Sequence, residues 1–489
     1  MTTENGKCGT AFALPNARMS DTLHGLTVVI LAAGEGKRMR SRQPKVLHPL
    51  CGRALIAYPL RASQALADTF VVVAPPDTPT LRDALAADVR MVEQRERLGT
   101  GHAVLQAKDA CGEGTILVLP GDMPLISAET LERLVAHHRA TSAAATILTA
   151  VVERPQGYGR VLRQGGRVKR VVEDRDATDD EKRVSEINTS VYCFEAARLW
   201  TTLAEVKPDN DQGEYYLTDV IGILNRRGAR VEGVPVADPR EALGVNDRKQ
   251  LAVAAAVQRA RILDRLMEGG VTILDPGTTY IEDTVTIGTD TVIYPNVVIE
   301  GATTIGSDTV VGAGCHITRV TLGERVRLKP YCVLTDSVVE DEAILGPFCH
   351  LRPQSHVGAG AHIGNFVELK KTRLGKGAKA NHLAYLGDAT VGACANVGAG
   401  AITCNYDGFN KHETKIGDGA FIGTNSSLVA PLTIGDGAYI GAGSTITKDV
   451  PPDALAVERS QQVAKDGWAA RWRARHAAQP KSGKTNEES

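Results

Sequence analysis

Val391-Gly392, Val397-Gly398, Ile416-Gly417, Ile422-Gly423, Ile434-Gly435 and Ile440-Gly441 punctuate one stretch of the chain, each an aliphatic residue followed by glycine. The same pair stands earlier at Ile287-Gly288, Ile305-Gly306, Val311-Gly312, Val357-Gly358 and Ile363-Gly364, so the pattern runs from Val271 to Val450. Neighbouring pairs recur six residues apart, or twelve where one copy is blurred, and a period of six belongs to a parallel β-helix. One short strand points an aliphatic side chain inward, glycine and small polar residues make the corner, and three strands complete a turn. Each coil hydrogen-bonds to the next at strand spacing, and the aliphatic side chains stack into a continuous core.

Outward from this region, 489 residues leave length for two or three domains. A net charge of −1 with 23% charged residues gives no sign of a nucleic-acid or membrane partner. The 4% aromatic content suits a core of Ile, Val, Leu and Ala. Nine cysteines with no C-x-x-C pair read as scattered apolar thiols in a reducing cytosol rather than a zinc site or a disulfide framework. No stretch has the length of a membrane span, and residues 1–24 lack the apolar run of a signal peptide. They read as a flexible leader in which Met19 is an alternative start, and the expected location is the cytoplasm.

The N-terminal half alternates strand and helix, which gives an α/β doubly wound domain to about Asn246. Thr27 to Leu31 is a wholly apolar run of the kind buried on both faces of a parallel sheet, and it ends in Ala32-Ala33-Gly34-Glu35-Gly36-Lys37-Arg38-Met39. Two glycines close behind a strand let backbone N–H groups approach a phosphate while Lys37 and Arg38 supply charge. The loop is neither a Walker A motif nor the dinucleotide fingerprint. Further strands are expected at 70–74, 89–94 and 116–119, with a helix around 55–67. Gly99-Thr100-Gly101-His102 opens another helix toward Ala107, and its first N–H groups face an acceptor. Asp122 lies just past the strand end at Leu119, where open α/β sheets place ligand-binding groups, and its carboxylate suits Mg²⁺. Gly157 to Arg160, Val172-Glu173, Ile187 to Thr189 and Gly244 to Asn246 set further polar groups beside strands, as a sugar or ribose would need.

Leu31 to Gly34, Gly36, Arg38-Met39 and Pro44-Lys45 together resemble the signature of sugar-phosphate nucleotidyltransferases. Gln94, Leu98 to His102, Gly121-Asp122 and Gly157 to Gly159 narrow the resemblance to the branch that makes UDP-N-acetylglucosamine. Lys37 and Pro120 depart from that pattern, standing where threonine and an aromatic residue are usual. The resemblance implies a Rossmann-like domain in which Asp122 and Asn246 hold Mg²⁺ and Arg38 and Lys45 meet the phosphates of UTP. It also implies that Leu31, Ala32, Ala33, Gly34, Gln94, Gly99 and Thr100 recognise uridine, and Gly159, Glu173 and Asn188 the amino sugar. The chemistry asked of the site is positioning and charge neutralisation as a sugar 1-phosphate attacks the α-phosphorus and pyrophosphate leaves.

Arg248 to Glu268 reads as one helix, with Leu251, Val257, Leu263 and Met267 at helical spacing and Gly269-Gly270 at its end. It would span about 30 Å as a spacer between two active sites; the alternative is a helix integral to the first domain. Beyond it, the residues that bear chemistry lie where the repeat is interrupted: Arg352-Pro353, Glu368 to Lys371, Asn381 to Asp388 and Thr403 to Gly408. Asn405 to Thr414 is too polar and irregular for another coil and should bulge out as a loop. An imidazole at His382 has the chemistry to take a proton from an attacking amine at neutral pH.

With both halves matched in order, residues 27–460 resemble the bifunctional N-acetylglucosamine-1-phosphate uridylyltransferase/glucosamine-1-phosphate N-acetyltransferase family. That resemblance implies a left-handed β-helix, a homotrimer whose acyl site is shared between subunits, and acetyl transfer from acetyl-CoA to glucosamine 1-phosphate before uridylyl transfer. The product is a precursor of peptidoglycan and lipopolysaccharide. His382 is then the general base, Asn405 orients the amine or the histidine, and a backbone N–H near Ala399 is the candidate oxyanion donor. Arg352, Lys370, Tyr385 and Asn396 would bind the sugar phosphate, and Ala399, Asn405, Tyr406, Thr424, Ala442 and Arg459 acetyl-CoA. Thr424 replaces a usual serine and Asn381 a usual glycine. The expected layout is a leader 1–24, a uridylyltransferase domain 25–248, a linker helix 249–269, an acetyltransferase β-helix 270–460 and a flexible tail 461–489. In that tail, Trp468 and Trp472 are spaced for a short helix. The competing reading keeps only the nucleotidyltransferase and makes the β-helix a regulatory or oligomerising device, as in ADP-glucose pyrophosphorylase-like proteins.

Overall fold

The computed structural model describes residues 25–477; the leader, with Met19, and the end of the tail lie outside the described residues. The chain divides into two compact units, the first running to Thr289 with Pro295–Thr303, the second comprising Asp290–Tyr294 and everything from Thr304.

Leu26–Leu31 is the central strand of the first unit's sheet, paired in parallel with Thr69–Ala74 on one side and Thr115–Pro120 on the other. Alternate side chains of this strand enter opposite layers: Val28 and Ile30 pack into one buried cluster and Val29 into another. That two-sided burial is why the run is apolar without interruption. Beyond Thr69–Ala74 lies Arg90–Glu93, and beyond Thr115–Pro120 lie Glu186–Glu195, Ala145–Val151 and Val231–Pro235. Glu186–Glu195 runs antiparallel to both its neighbours, so the sheet is mixed rather than doubly wound in parallel throughout. Because the chain leaves the central strand in both directions, a crevice opens past the ends of Leu26–Leu31 and Thr115–Pro120. The Gly121 N–H closes it below by bonding the Leu31 carbonyl at 2.9 Å.

The helix forms over Arg248–Glu268 as its periodicity predicts, with the Asp247 side chain capping it by accepting from the Gln250 N–H at 2.8 Å. It does not stand free as a spacer. Arg248 Nε donates to the Met39 carbonyl at 3.3 Å and Arg261 Nη1 to the Leu125 carbonyl at 2.6 Å, so the helix is packed onto the first unit. The first unit also contains Asp283, whose side chain is only 2% exposed and is ringed by Arg53, Arg61 and Arg265.

In the second unit each coil contributes three short strands. One inward column is Ile305, Leu322, Val339, Val357, Leu374, Val391, Ile416 and Ile434, each paired in register with the next. None is more than 3% exposed. The glycine after the aliphatic residue serves closeness rather than the turn. A Cβ on Gly392 would lie 2.4 Å from the Asp418 nitrogen, and one on Gly423 2.5 Å from the Ala442 nitrogen. The left-handed corners fall instead at residues such as Asp308, Arg325 and Glu342, with φ of 58°, 56° and 60°. The cysteines are less scattered than expected. Cys315, Cys332 and Cys349 are buried at successive coils, and all eight described cysteines are free thiols. In the tail, Trp468–Ala477 is helical, with Trp468 and Trp472 stacked at 6.4 Å, so a stretch expected to be flexible is partly ordered by its own aromatic spacing.

Replacing Asp283 by Asn should leave three guanidinium groups around a neutral amide. Breaking a buried pair by removing one partner costs about 3–5 kcal/mol, and the half-exposed Arg61 and Arg265 put this site near 3 kcal/mol. The expected result is a lower urea midpoint for the first unit; an unchanged midpoint would show that the cluster does not hold it together.

Candidate active sites

The crevice of the first unit is a cleft of about 680 Å³. The loop after the central strand supplies Leu31, Ala32, Ala33 and Gly34 to one wall, with Arg38 beyond. Gln94, Gly99 and Thr100 line the adjacent wall, and Gly159, Glu173 and Asn188 the far end. Between them stand Lys45, Asp122 and Asn246. Every residue that the resemblance assigns to a ligand in this half therefore lines one cavity. Lys37 does not; its ammonium pairs with Glu35 at 2.9 Å and is well exposed.

Lys45 Nζ is ion-paired with Asp122 and donates to Asn246 Oδ1 at 3.1 Å, bringing together residues 201 positions apart in the chain. Asn246 is placed there by the peptide before it, since the Val245 N–H bonds the Asp122 carbonyl at 2.9 Å. Glu173 is held from behind by a residue the sequence reading missed: Thr218 Oγ1 donates to Glu173 Oε1 at 3.1 Å. Burial pushes the Glu173 carboxyl above its ordinary range; the Thr218 bond opposes this, and Asp176, Asp219 and Asp174 reinforce it. Asn188 is tied into the scaffold, donating to the Tyr192 hydroxyl at 2.7 Å and accepting from the Ser190 N–H at 3.0 Å. Tyr158, inside the Gly157 to Gly159 motif, also lines the cleft, as does Arg97, which no motif announced.

In the second unit the assigned residues fall into two columns. At one corner, the Gly400 N–H bonds the His382 carbonyl, the Asn425 N–H the Ala399 carbonyl, and the Gly443 N–H the Thr424 carbonyl. Arg459 Nη1 closes the column by donating to the Ala442 carbonyl at 3.0 Å. His382, Ala399, Thr424, Ala442 and Arg459 thus lie along one edge of the coil stack. The other corner carries Arg352, Lys370 and Asn405. Arg352 Nη1 donates to Glu368 Oε1 at 2.9 Å, and Lys370 is in register with Gly387. Tyr385 lies beside this second group, since a Cβ on Gly387 would meet its hydroxyl at 2.4 Å and Asn405 Nδ2 at 2.9 Å. Asn396 is in register with Lys379 and Phe421, on a different face from Arg352 and Lys370. Tyr406 begins the bulge after Asn405, which forms as expected and is braced by Asp407, accepting from the Phe409 and Asn410 N–H groups at 2.8 and 2.6 Å.

Asn405 does not orient His382. Its amide bonds Asp388, and the histidine's partner is Asn365, whose Oδ1 lies 2.9 Å from His382 Nδ1. With an amide oxygen facing Nδ1, the ring hydrogen sits there and Nε2 keeps its lone pair. Asn365 was findable in principle, because it pairs in register with His382 one coil earlier. Lys411, on the bulge, was not. Its ammonium lies against Lys370 and lowers that residue's pKa, with desolvation and the charge of Arg352 acting the same way.

Residues 28–219 match the family described as MobA-like NTP transferase domain, and residues 413–448 the bacterial transferase hexapeptide (six repeats). The bifunctional protein GlmU of Geobacter sulfurreducens is 48% identical over 92% of this chain and 100% of its own. That of Anaeromyxobacter sp. is 50% identical over 93% of this chain and 95% of its own, and that of Brevibacillus brevis 48% over 90% and 96%. The chain belongs to the GlmU family. A solved UDP-glucose pyrophosphorylase complexed with UDP-glucose covers 48% of the chain at 17% identity and a TM-score of 0.40, too slight a likeness to bear on the site. As a GlmU-family member the chain is a bifunctional transferase, with a nucleotidyltransferase unit and a left-handed β-helix of acyltransferase type. Among the described residues, no helix is long and apolar enough to cross a membrane.

Because folding raises the pKa of Glu173, the stability this gives is complete below the ordinary glutamate range and fades as pH climbs through the raised value. At neutral pH the buried charge works against the fold. Glu173→Gln should therefore raise the thermal midpoint of the first unit at neutral pH, with the gain shrinking in acid, while weakening use of the sugar phosphate. A variant less stable than wild type at neutral pH would contradict this.

Proposed function

We propose that the second unit acetylates glucosamine 1-phosphate with acetyl-CoA, and that the first transfers the uridylyl group of UTP to the resulting N-acetylglucosamine 1-phosphate, releasing pyrophosphate. What supports this reading best is the convergence of Lys45, Asp122 and Asn246 in the cleft between the glycine loop and the Glu173 end.

In the first unit, Arg38 and Lys45 neutralise charge on the triphosphate, and Lys45 must exchange Asp122 for phosphate oxygens to do so. The donor set fits Mg²⁺: a carboxylate and an amide oxygen are hard ligands, and this ion is commonly held by one or two carboxylates plus substrate phosphates. When bound, the ion offsets the charge that builds on the phosphate oxygens. Gln94, Gly99 and Thr100 hold the uridine, while Gly159, Glu173 and Asn188 hold the amino sugar. No strong base is needed, because the attacking phosphate is already ionised.

In the second unit, His382 Nε2 takes the proton as the sugar amine attacks the thioester carbonyl, with Asn365 holding the ring. A backbone N–H at Ala399 supports the oxyanion, and Thr424, Ala442 and Arg459 carry acetyl-CoA along the same edge. Arg352, Lys370 and Tyr385 take the sugar phosphate. The amine and the phosphate sit on adjacent carbons of one sugar, yet His382 and these cations lie at different corners, separated by one strand face of about 16 Å. A second copy would have to present its cations to the first copy's histidine. That geometry supports an oligomer with shared sites, which we propose is the homotrimer, with Asn396, Asn405 and Tyr406 meeting their ligands in it. UTP, acetyl-CoA and the free thiols suit the cytoplasm.

His382→Ala should lower CoA release from acetyl-CoA and glucosamine 1-phosphate by about 10²–10⁴-fold while sparing pyrophosphate release. Asp122→Ala should do the converse, by about 10²–10³-fold. If the wild-type protein released no CoA at all, the β-helix would be an oligomerising or regulatory element and the single-activity reading would replace this one.

A further inference from the structure

Gln94 is only 4% exposed, yet it lines the cleft. One end of its amide lies 3.1 Å from the Gly99 carbonyl oxygen. A carbonyl oxygen only accepts, so that end is the NH₂ group and Oε1 is the end left over. The same NH₂ lies 3.1 Å from His102 Nδ1. Both of its hydrogens therefore have acceptors, on one condition: the imidazole carries its own hydrogen on Nε2.

A competitor sits on the other side of the ring. The Gln106 amide nitrogen is 3.2 Å from His102 Nε2 and also 3.2 Å from the His102 carbonyl. A neutral imidazole has a single acceptor nitrogen, so two amide NH₂ groups cannot both be satisfied by it. Gln106 is only half-buried, and it can turn its oxygen toward Nε2–H or reach solvent. Gln94 is buried and has no such exit, and an unmet donor there would carry the full desolvation penalty. The Nδ1 lone pair therefore goes to Gln94. His102 itself is held in place behind the cleft, packed 6.5 Å from the Tyr215 ring, while the Gly101 N–H bonds the Tyr215 carbonyl at 2.7 Å.

With its NH₂ occupied on both sides, Gln94 offers the cleft only an acceptor. We propose that His102 is a positioning residue that locks Gln94 into this orientation, so that the site accepts a pyrimidine presenting an N3–H, as uracil does, and disfavours one whose N3 is itself an acceptor, as in cytosine. This deepens, and rests on, the reading that the cleft holds the uridine of UTP at Gln94. A buried polar group left facing another acceptor is the kind of mismatch that gives large discrimination between otherwise similar ligands.

The test compares UTP with CTP in pyrophosphate-release kinetics on the full chain, with the thermal midpoint of the first unit in the same samples as the check on folding. His102→Phe keeps the bulk and removes the acceptor. It should raise KM for UTP about tenfold with kcat within about twofold, and cut the UTP-over-CTP ratio of kcat/KM by about tenfold or more, since one such contact is worth about a factor of ten. His102→Asn returns an acceptor oxygen near the Nδ1 position and should restore most of the preference, which a purely structural role would not require. Gln94→Ala should abolish the preference. If His102→Phe keeps the wild-type ratio while Gln94→Ala loses it, the positioning role is wrong and the uridine reading stands. Equal losses in His102→Phe and His102→Asn would also overturn the role, because the acceptor would not be what matters. If Gln94→Ala keeps the preference, the base does not lie there and both fall together.

Discussion

The stacking of one coil's backbone on the next is the constraint on which the second unit depends. Parallel strands of successive coils pair residue for residue, so whatever occupies a corner in one coil is carried over the same corner in the next. Where the passing backbone comes closest there is no room for a Cβ, which is the reason for glycine at Gly392 and Gly423. The same constraint builds the candidate acyl site. His382, Ala399, Thr424 and Ala442 lie far apart in sequence but follow one another along a single edge because their coils are in register.

The first unit reaches the same end by a different route. Its central strand is buried on both faces, and the loops that follow it and its neighbour must open at the same end of the sheet. Charges are then gathered from distant segments: Lys45 from a short helical turn, Asp122 from a strand end, Asn246 from the approach to the long helix. An ammonium donating to two oxygen acceptors is a site arranged for anionic oxygens and a cation together. Glu173, pushed toward its neutral form at the far end of the same cleft, shows how much burial the fold tolerates to keep a polar group within reach of a ligand.

Neighbouring groups do as much in these sites as the residues that would touch substrate. Asn365 sets which nitrogen of His382 is basic, Thr218 restrains Glu173, and His102 faces Gln94 from behind. Thr218 stands in no motif, and although Asn365 lies one coil before His382 and His102 in a glycine motif, each acts through a hydrogen bond whose partner is fixed only when the chain is folded. Lys411 is a similar case: its loop is legible, yet nothing within the loop singles it out as the residue brought against Lys370.

Periodicity and local chemistry made the architecture legible. The aliphatic-glycine repeat implied the β-helix, the apolar run before Gly34 implied a central strand, and the spacing from Leu251 to Met267 marked the long helix to its observed ends, Arg248–Glu268. These features are local, and short-range sterics and burial impose them wherever they occur. The family resemblance carried by the motifs likewise pointed to the residues assigned to the nucleotide cleft. What tertiary structure alone decided was pairing. It put Asn365 rather than Asn405 on His382, placed the acyl-site residues and the cations at different corners, and laid the supposed spacer helix onto the first unit. A hydrogen bond depends on a few tenths of an ångström between segments as much as two hundred residues apart, and no one-dimensional pattern carries that distance.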